Sequence, residues 1–141
     1  FNKLPYKFEA GTPNVCGVLG LETALKYIED LDLKKIHAYE HEMLDYATVE
    51  LLKQQDIRIF GNAENKTGVL SFNIGKIHPY DAGTIYDKLG IAVRTGHHCA
   101  QPLVDRFQVA GMIRASLALY NTMEEIDRFI EGTKQVRKML G

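Results

Sequence analysis

Residues 112–120 constrain the fold more than any other stretch of the sequence. Their apolar side chains alternate with Arg114, Ser116 and Ala118, which is the period-two pattern of a β-strand that buries one face. Such a strand needs partners in a sheet. Three further runs are short and rich in β-branched or aromatic residues, and we predict strands for them: 57–60, 69–74 and 91–94.

The connection between the first two of these runs carries turn residues at Gly61 and Asn62, so we expect the two strands to pair antiparallel. Most of the remaining apolar residues recur at steps of three and four, which is the spacing of a helix with one buried face. This spacing predicts helices over residues 15–30, 33–55, 79–89 and 122–140.

Residues at the helix ends support these predictions. Asn14 is the expected N-cap of the first helix, and Pro79 can begin the third because its missing N–H would be unsatisfied there. Thr122 and Glu125 have the spacing of a capping box at the last helix. The order of elements predicts an α+β fold, a small and mainly antiparallel sheet with helices on one face.

The organisation of the chain suggests two parts. The first helix follows an irregular stretch without strands of its own, so we expect residues 1–31 to be the tail of a preceding domain. Residues 32–141 then form the small α+β domain. Because the sequence opens on Phe1 rather than Met, we expect it to be cut from a longer protein.

Composition excludes several classes of function. There are 17 Lys and Arg against 18 Asp and Glu, so the bulk charge gives no reason to expect a nucleic-acid partner. No stretch approaches the roughly 18 consecutive apolar residues of a membrane span. Only two cysteines occur, Cys16 and Cys99, and nothing at the start resembles a secretion signal, which favours a reducing, cytoplasmic setting.

The loop 94–102 concentrates reactive groups. Arg94, His97, His98 and Cys99 lie within six residues. A thiol is a nucleophile only as the thiolate, which nearby positive charge favours. The loop therefore predicts an exposed reactive cysteine, with an inert thiol packed beneath the loop as an equally weighted alternative.

Zinc is a further alternative, since histidine and cysteine both bind it. The candidate ligands in the loop are adjacent in sequence and cannot easily all reach one ion, so we predict no metal site. Cys16 lies among apolar residues one turn into the first helix and is predicted to be a core residue. His37, His41 and His78 are scattered along the chain and are given no role.

Two further positions could bind an anion. Arg114 interrupts an apolar strand, where its guanidinium could hold a carboxylate in a bidentate fork. From the residues alone, a structural role is the favoured interpretation: either a salt bridge to an acid such as Asp87 or Glu125, or a solvent-facing position at the edge of the sheet. Thr12 lies in the turn-like run 11–14 ahead of a helix and could contribute to a phosphate site, although the spacing alone favours an ordinary turn.

Three segments resemble the C-terminal third of a group II, SUF-type cysteine desulfurase, in the same order along the chain. They are residues 8–14 (FEAGTPN), 94–103 (RTGHHCAQPL) and 114–122 (RASLALYNT). The second segment carries most of the specificity. The resemblance implies the small domain of the aspartate-aminotransferase fold, in a homodimeric enzyme that uses pyridoxal phosphate (PLP) to convert L-cysteine to L-alanine.

The resemblance also implies roles for four residues. Cys99 corresponds to the cysteine that takes the sulfur as a persulfide, and Arg114 to the arginine that binds the substrate carboxylate. Arg94 corresponds to a residue close to the substrate, and Thr12 to a threonine that reaches the PLP phosphate of the other subunit. The sulfur would then pass to an acceptor protein for iron–sulfur cluster assembly. The two loop histidines stay outside the catalytic set.

The sequence departs from the family pattern in ways that limit what this chain can do alone. In the family the lysine that holds PLP follows a histidine, but no His-Lys pair occurs here, and Lys7 stands where arginine is usual. We therefore expect that this chain alone neither binds PLP firmly nor desulfurates cysteine. Two alternatives stay open: a selenocysteine lyase of the same superfamily, and a non-catalytic α+β module with a redox- or metal-binding His-His-Cys loop.

Overall fold

The computed structural model describes residues 1–61 and 63–141, which form two compact units, Phe1–Ile36 and His37–Gly141. The turn expected between the first two strands falls partly on Asn62, which lies outside the described residues. None of the helices in the described residues is both long and apolar enough to cross a membrane.

The first unit contains helix α1, Val15–Asp30, and the start of α2, Leu33–Leu52. Asn14 caps α1 as predicted, with its Oδ1 accepting a hydrogen bond from the Gly17 amide at 2.9 Å. No residue of α1 is buried within the described structure, so the prediction that Cys16 lies in a core is wrong. The physical reason is that the described part of this unit supplies no second layer to bury the apolar stripe.

The second unit is built on a four-stranded sheet with the spatial order β1-β2-β4-β3, in which each neighbouring pair is antiparallel. In chain order the strands are β1 (Ile57–Phe60), β2 (Val69–Ile74), β3 (Arg94–Gly96) and β4 (Met112–Ser116). This unit contains the part of α2 that follows Ile36 and three further helices: α3 (Pro79–Lys88), α4 (Gln101–Arg106) and α5 (Met123–Leu140). The predicted α+β class with an antiparallel sheet is confirmed.

The two faces of this sheet are covered differently. Helices α2, α3 and α5 bury one face in the main core, whose members on the strands include Phe72 and Ile113. On the opposite face, the outer face, a smaller apolar cluster joins Met112 to Val104 of α4. Because the side chains of a strand point alternately to its two faces, Ile113 enters the main core while Met112 and Arg114 lie on the outer face.

Helix α4 departs from the prediction that residues 95–110 are mostly loop. It is six residues long and buries only Val104, so it offers no repeated apolar stripe that periodicity could detect. Its place depends on tertiary packing, because the adjoining Phe107 packs edge-on against Phe60 with ring centroids 5.2 Å apart.

Two strand boundaries also differ from the prediction. The third strand begins at Arg94 rather than at residue 91, and Ile91 packs against the main core from the preceding connection. The fourth strand ends at Ser116 rather than at residue 120. It ends there because the chain turns, and the Ala118 amide donates a hydrogen bond to Asn121 Oδ1 at 2.9 Å.

The N-terminus of α5 has the capping box that the sequence predicts. Thr122 Oγ1 accepts a hydrogen bond from the Glu125 amide at 3.3 Å, and Glu125 Oε2 accepts one from the Thr122 amide at 3.1 Å. The Asn121 side chain donates a further hydrogen bond to Glu125 at 3.0 Å. This bond from Asn121, followed by the one from the Thr122 backbone, lowers the pKa of the Glu125 carboxyl.

We predict that Glu125→Gln lowers the free energy of unfolding at pH 7, because glutamine keeps the acceptor but loses the charge that these hydrogen bonds stabilise. The pKa of Glu125 is lower in the folded chain than in the unfolded one. Its contribution is therefore present above the unfolded pKa and is lost as the pH falls through the folded pKa.

Urea unfolding at neutral and acidic pH checks this prediction, and the difference between the variant and the unchanged chain should narrow toward acidic pH. Glu124→Gln, in the same helical turn, is the matched control. A difference that does not change with pH would contradict the prediction.

Candidate active site

Strands β3 and β4 place two arginines side by side on the outer face of the sheet. Arg94 lies directly opposite Arg114 in the antiparallel register. Like charges that face each other across two strands repel. The pair therefore favours an anion held between the two guanidinium groups, which bind carboxylate and phosphate oxygens well.

Arg114 is half-buried, and its Nε is buried without a hydrogen-bond partner among the described residues. Within those residues no salt bridge joins it to Asp87 or Glu125, and the Glu125 carboxylate is occupied by the capping box. A buried N–H left unpaired is unfavourable. This geometry leaves Arg114 available to an anion from outside the described chain.

The loop after β3 has an unusual backbone. His98 and Cys99 have positive φ angles of 55° and 60°, and the His97 carbonyl accepts a hydrogen bond from the Ala100 amide at 2.9 Å. Positive φ at both central residues is the pattern of a type I′ turn, which asparagine and glycine adopt more readily. Such backbone conformations raise the free energy of a chain and are concentrated at functional sites.

This turn presents Cys99 to solvent beside an arginine. Cys99 is a free, exposed thiol, and Arg94 Nη2 donates a hydrogen bond to its Sγ at 3.3 Å. The alternative of a thiol packed beneath the loop is therefore wrong. A neighbouring cation favours the thiolate, which is the nucleophilic form of cysteine.

His98 reaches from the same turn toward the sheet. Its Nε2 lies 3.1 Å from the Met112 carbonyl oxygen, while its Nδ1 is buried without a partner among the described residues. Burial lowers the pKa of His98, and the charges of Arg114, Arg94 and His97 lower it further, against the opposing effect of the hydrogen bond to Met112. The ring is therefore neutral near pH 7.

The contact made by His98 is absent from the sequence prediction, which leaves both loop histidines without a role. Nothing in the sequence distinguishes His98 from His97. The distinction arises from the turn, which exposes the side chain of His97 and half-buries that of His98.

Thr12 lies in the first unit, in the exposed stretch that precedes α1. A hydroxyl ahead of a helix N-terminus is suited to a phosphate group. Across residues 1–61 and 63–141, no group of three or more His, Cys, Asp or Glu side chains could hold a metal ion.

The sequence profile of the family described as aminotransferase class-V matches residues 1–129. The chain belongs to the class-V aminotransferase family. Curated cysteine desulfurases from Klebsiella pneumoniae subsp. pneumoniae and Escherichia coli are 50% and 48% identical to it over all 141 residues. This class-V chain spans 34% of the length of each of these relatives, about a third.

Solved structures show the same fold. The Escherichia coli cysteine desulfurase CsdA, in an S-sulfonic acid form, matches with a TM-score of 0.90 at 34% identity, over 99% of this chain and 35% of its own. The apo cysteine desulfurase of Thermococcus onnurineus NA1 matches with a TM-score of 0.89 at 36% identity, and the match covers 99% of this chain and 35% of the Thermococcus chain. The class-V chain thus has the fold of the part of these proteins that it covers.

We predict that Arg94→Gln lowers the rate at which iodoacetamide alkylates Cys99 at pH 7 by about threefold, the scale of one exposed charge pair. Glutamine removes the positively charged guanidinium that contacts Cys99 Sγ at 3.3 Å. Mass spectrometry of the peptide that contains Cys99 measures this rate separately from that of Cys16.

Arg58→Gln is the matched control, because the Arg58 guanidinium stacks over the Phe60 ring at 4.8 Å instead of contacting the thiol. An unchanged alkylation rate in Arg94→Gln would count against a functional contact between Arg94 and Cys99.

Proposed function

We propose that the complete protein carrying this chain is a group II, PLP-dependent cysteine desulfurase, which converts L-cysteine to L-alanine. One observation carries the proposal: the free thiol of Cys99 contacts one arginine of a cross-strand pair, and the other arginine has a buried Nε with no hydrogen-bond partner among the described residues. The names of the curated relatives, which share about half of their matched residues with this chain, support the same activity.

The residues present fit part of a PLP site. Thr12, ahead of α1, is suited to bind the phosphate of the PLP in the other subunit of the complete protein. Separately, the Nε of Arg114, which has no partner among the described residues, is suited to a substrate carboxylate. In the resembled family the lysine that holds PLP follows a histidine, and no His-Lys pair occurs in this sequence, so we assign that lysine to the rest of the complete protein. When bound, PLP supplies an electron sink for the carbon atoms of the substrate.

The two arginines orient the substrate. A guanidinium holds a carboxylate through two parallel hydrogen bonds, so Arg114 fixes the direction in which the substrate sulfur points. Arg94 adds a second positive charge across the strand pair. The bound carboxylate in turn offsets the repulsion between the two cations.

Cys99 accepts the sulfur. Its thiolate attacks the substrate sulfur atom, so that an S–S bond forms while the C–S bond of the substrate breaks. The electron pair of the broken bond stays with the carbon, which takes up a proton to become the methyl group of alanine. Cys99 is left as a persulfide, and its exposure lets an acceptor protein reach it.

The remaining parts of the proposal concern the complete protein. It is a cytoplasmic homodimer that passes its sulfur to an acceptor protein for iron–sulfur cluster assembly. Residues 1–31 form the tail of its PLP-binding domain, and residues 32–141 form its small domain. This chain alone is not expected to bind PLP firmly or to produce alanine from cysteine.

We predict that Cys99→Ser in the complete protein abolishes persulfide formation and leaves the absorbance of bound PLP unchanged, because serine lacks the sulfur that carries the product. Mass spectrometry after incubation with L-cysteine detects the persulfide as one added sulfur atom. Cys16→Ser is the matched control, since that thiol is also free and exposed but lies on α1.

Full sulfur transfer by the Cys99→Ser protein would refute the role given to Cys99. Turnover compared between cysteine and selenocysteine separates a desulfurase from a selenocysteine lyase.

We also predict that Arg114→Lys in the complete protein raises the KM for L-cysteine by about tenfold, since losing one charge-assisted hydrogen bond costs about 1.5 kcal/mol. Lysine keeps the positive charge but not the planar fork. Initial rates of alanine formation give KM and kcat separately, and Arg58→Lys is the control. An unchanged KM would contradict the assignment of Arg114 to the substrate carboxylate.

A further inference from the structure

One side chain of the Cys99 turn has no part in the proposed mechanism, although it is anchored to the sheet. We propose that His98 is a positioning residue: by tying the turn to the first residue of β4, it holds Cys99 against Arg94. The inference rests on the proposed function only in giving Cys99 the role of sulfur acceptor, since the contacts of His98 and Cys99 are all made within this chain.

The tie is a hydrogen bond from His98 Nε2 to the Met112 carbonyl oxygen, at 3.1 Å. Met112 is a fixed point, because it pairs with Gly96 across β3 and β4 and its side chain is buried with Val104. The imidazole thus reaches back from the turn to the strand pair from which the loop departs.

A second hydrogen bond steadies the same end of β4. Asn73 Nδ2 donates to the Gly111 carbonyl oxygen at 2.9 Å, one residue before Met112. Gly111 also lies tightly against the other strand, since a Cβ at this position would be 3.2 Å from the Gly96 Cα. The carbonyl that accepts from His98 therefore belongs to a closely packed strand end.

The hydrogen bond to Met112 requires a proton on Nε2 of the imidazole. Burial and the charges of Arg114, Arg94 and His97 lower the pKa of His98, so the ring stays neutral near pH 7. Its proton then lies on Nε2, because a carbonyl can only accept. Since Nδ1 has no partner among the described residues, Met112 is the one hydrogen-bond partner of this side chain within them.

The tie matters because the turn itself has an unfavourable backbone. His98 and Cys99 both have positive φ, which is uncommon outside glycine and which histidine adopts more readily than cysteine. The turn's own hydrogen bond, from the Ala100 amide to the His97 carbonyl, closes the turn but does not attach it to the sheet. The His98 bond makes that attachment, and it keeps Cys99 Sγ within reach of the guanidinium on β3.

Three substitutions separate the hydrogen bond from the backbone conformation. His98→Ala removes the donor, His98→Gly removes it but adopts positive φ freely, and His98→Gln restores an N–H donor of similar reach. In the 141-residue chain we expect the rate of Cys99 alkylation at pH 7 to fall about threefold in the first two variants and to stay near the unchanged rate in the third. His97→Ala is the matched control, because only the carbonyl of this exposed residue enters the turn.

A double-mutant cycle tests how His98 acts. If it acts by holding Cys99 against Arg94, then adding Arg94→Gln to His98→Ala should have no further effect, and the combined loss stays at about threefold. The proposal would be overturned by additive effects of the two substitutions on the alkylation rate. It would also be overturned if His98→Gly were alkylated at the unchanged rate, or if His98→Gln were alkylated as slowly as His98→Ala.

Folding and function are controlled separately. Circular dichroism melts report whether each variant folds, and if His98→Ala does not, the imidazole nitrogen shifts of the unchanged chain decide the matter. A neutral ring protonated on Nε2 is expected, and a ring protonated on Nδ1 would contradict the hydrogen bond to Met112.

In the complete protein, His98→Ala should lower kcat for alanine formation with little change in KM, since Arg114, which is proposed to bind the substrate carboxylate, is untouched. If Cys99 of the unchanged protein gains no persulfide, the proposed function fails while the alkylation rates still decide the role of His98.

Discussion

The register of β4 is the constraint on which both the main core and the candidate active site depend. Ile113 and Ala115 enter the main core, which forces Met112 and Arg114 onto the outer face. A slip of one residue would exchange the two faces, burying the guanidinium among apolar side chains and exposing Ile113. The free energy of packing an apolar core therefore also fixes the position of a charged group.

The position of β4 inside the sheet extends this effect to its neighbours. It pairs with β2 on one side and with β3 on the other, so the outer face collects Asn73, Arg114 and Arg94 from three strands. Cys99 joins them because its turn follows directly from the end of β3. The candidate site is thus a property of the paired strands, and no single segment of the chain contains it.

Structural features that arise from interactions between neighbouring residues can be predicted from the sequence, and those that arise from contacts between distant segments cannot. The capping box of Thr122 and Glu125 satisfies groups within one turn of helix, so its spacing is visible in the sequence. The packing of Phe107 on Phe60 joins distant segments, and α4 was missed for that reason. Cys16 shows the same limit, because periodicity identifies an apolar face but not whether the chain supplies a partner for it. In the site, Arg94 and Cys99 lie five residues apart and are predicted together, whereas the anchoring of the Cys99 turn by His98 depends on positive φ at His98 and Cys99, which the sequence does not reveal.

The pairing of Arg94 with Arg114 links occupancy of the site to the stability of the sheet. Repulsion between the two guanidinium groups weakens the pairing of β3 with β4, and an anion that bridges the two groups offsets this repulsion. Thermodynamic linkage requires the coupling to be mutual, so an anion that binds the paired strands more tightly also stabilises their pairing. Because β3 is only three residues long and leads directly into the Cys99 turn, we expect an anion that binds between the two arginines also to order this turn.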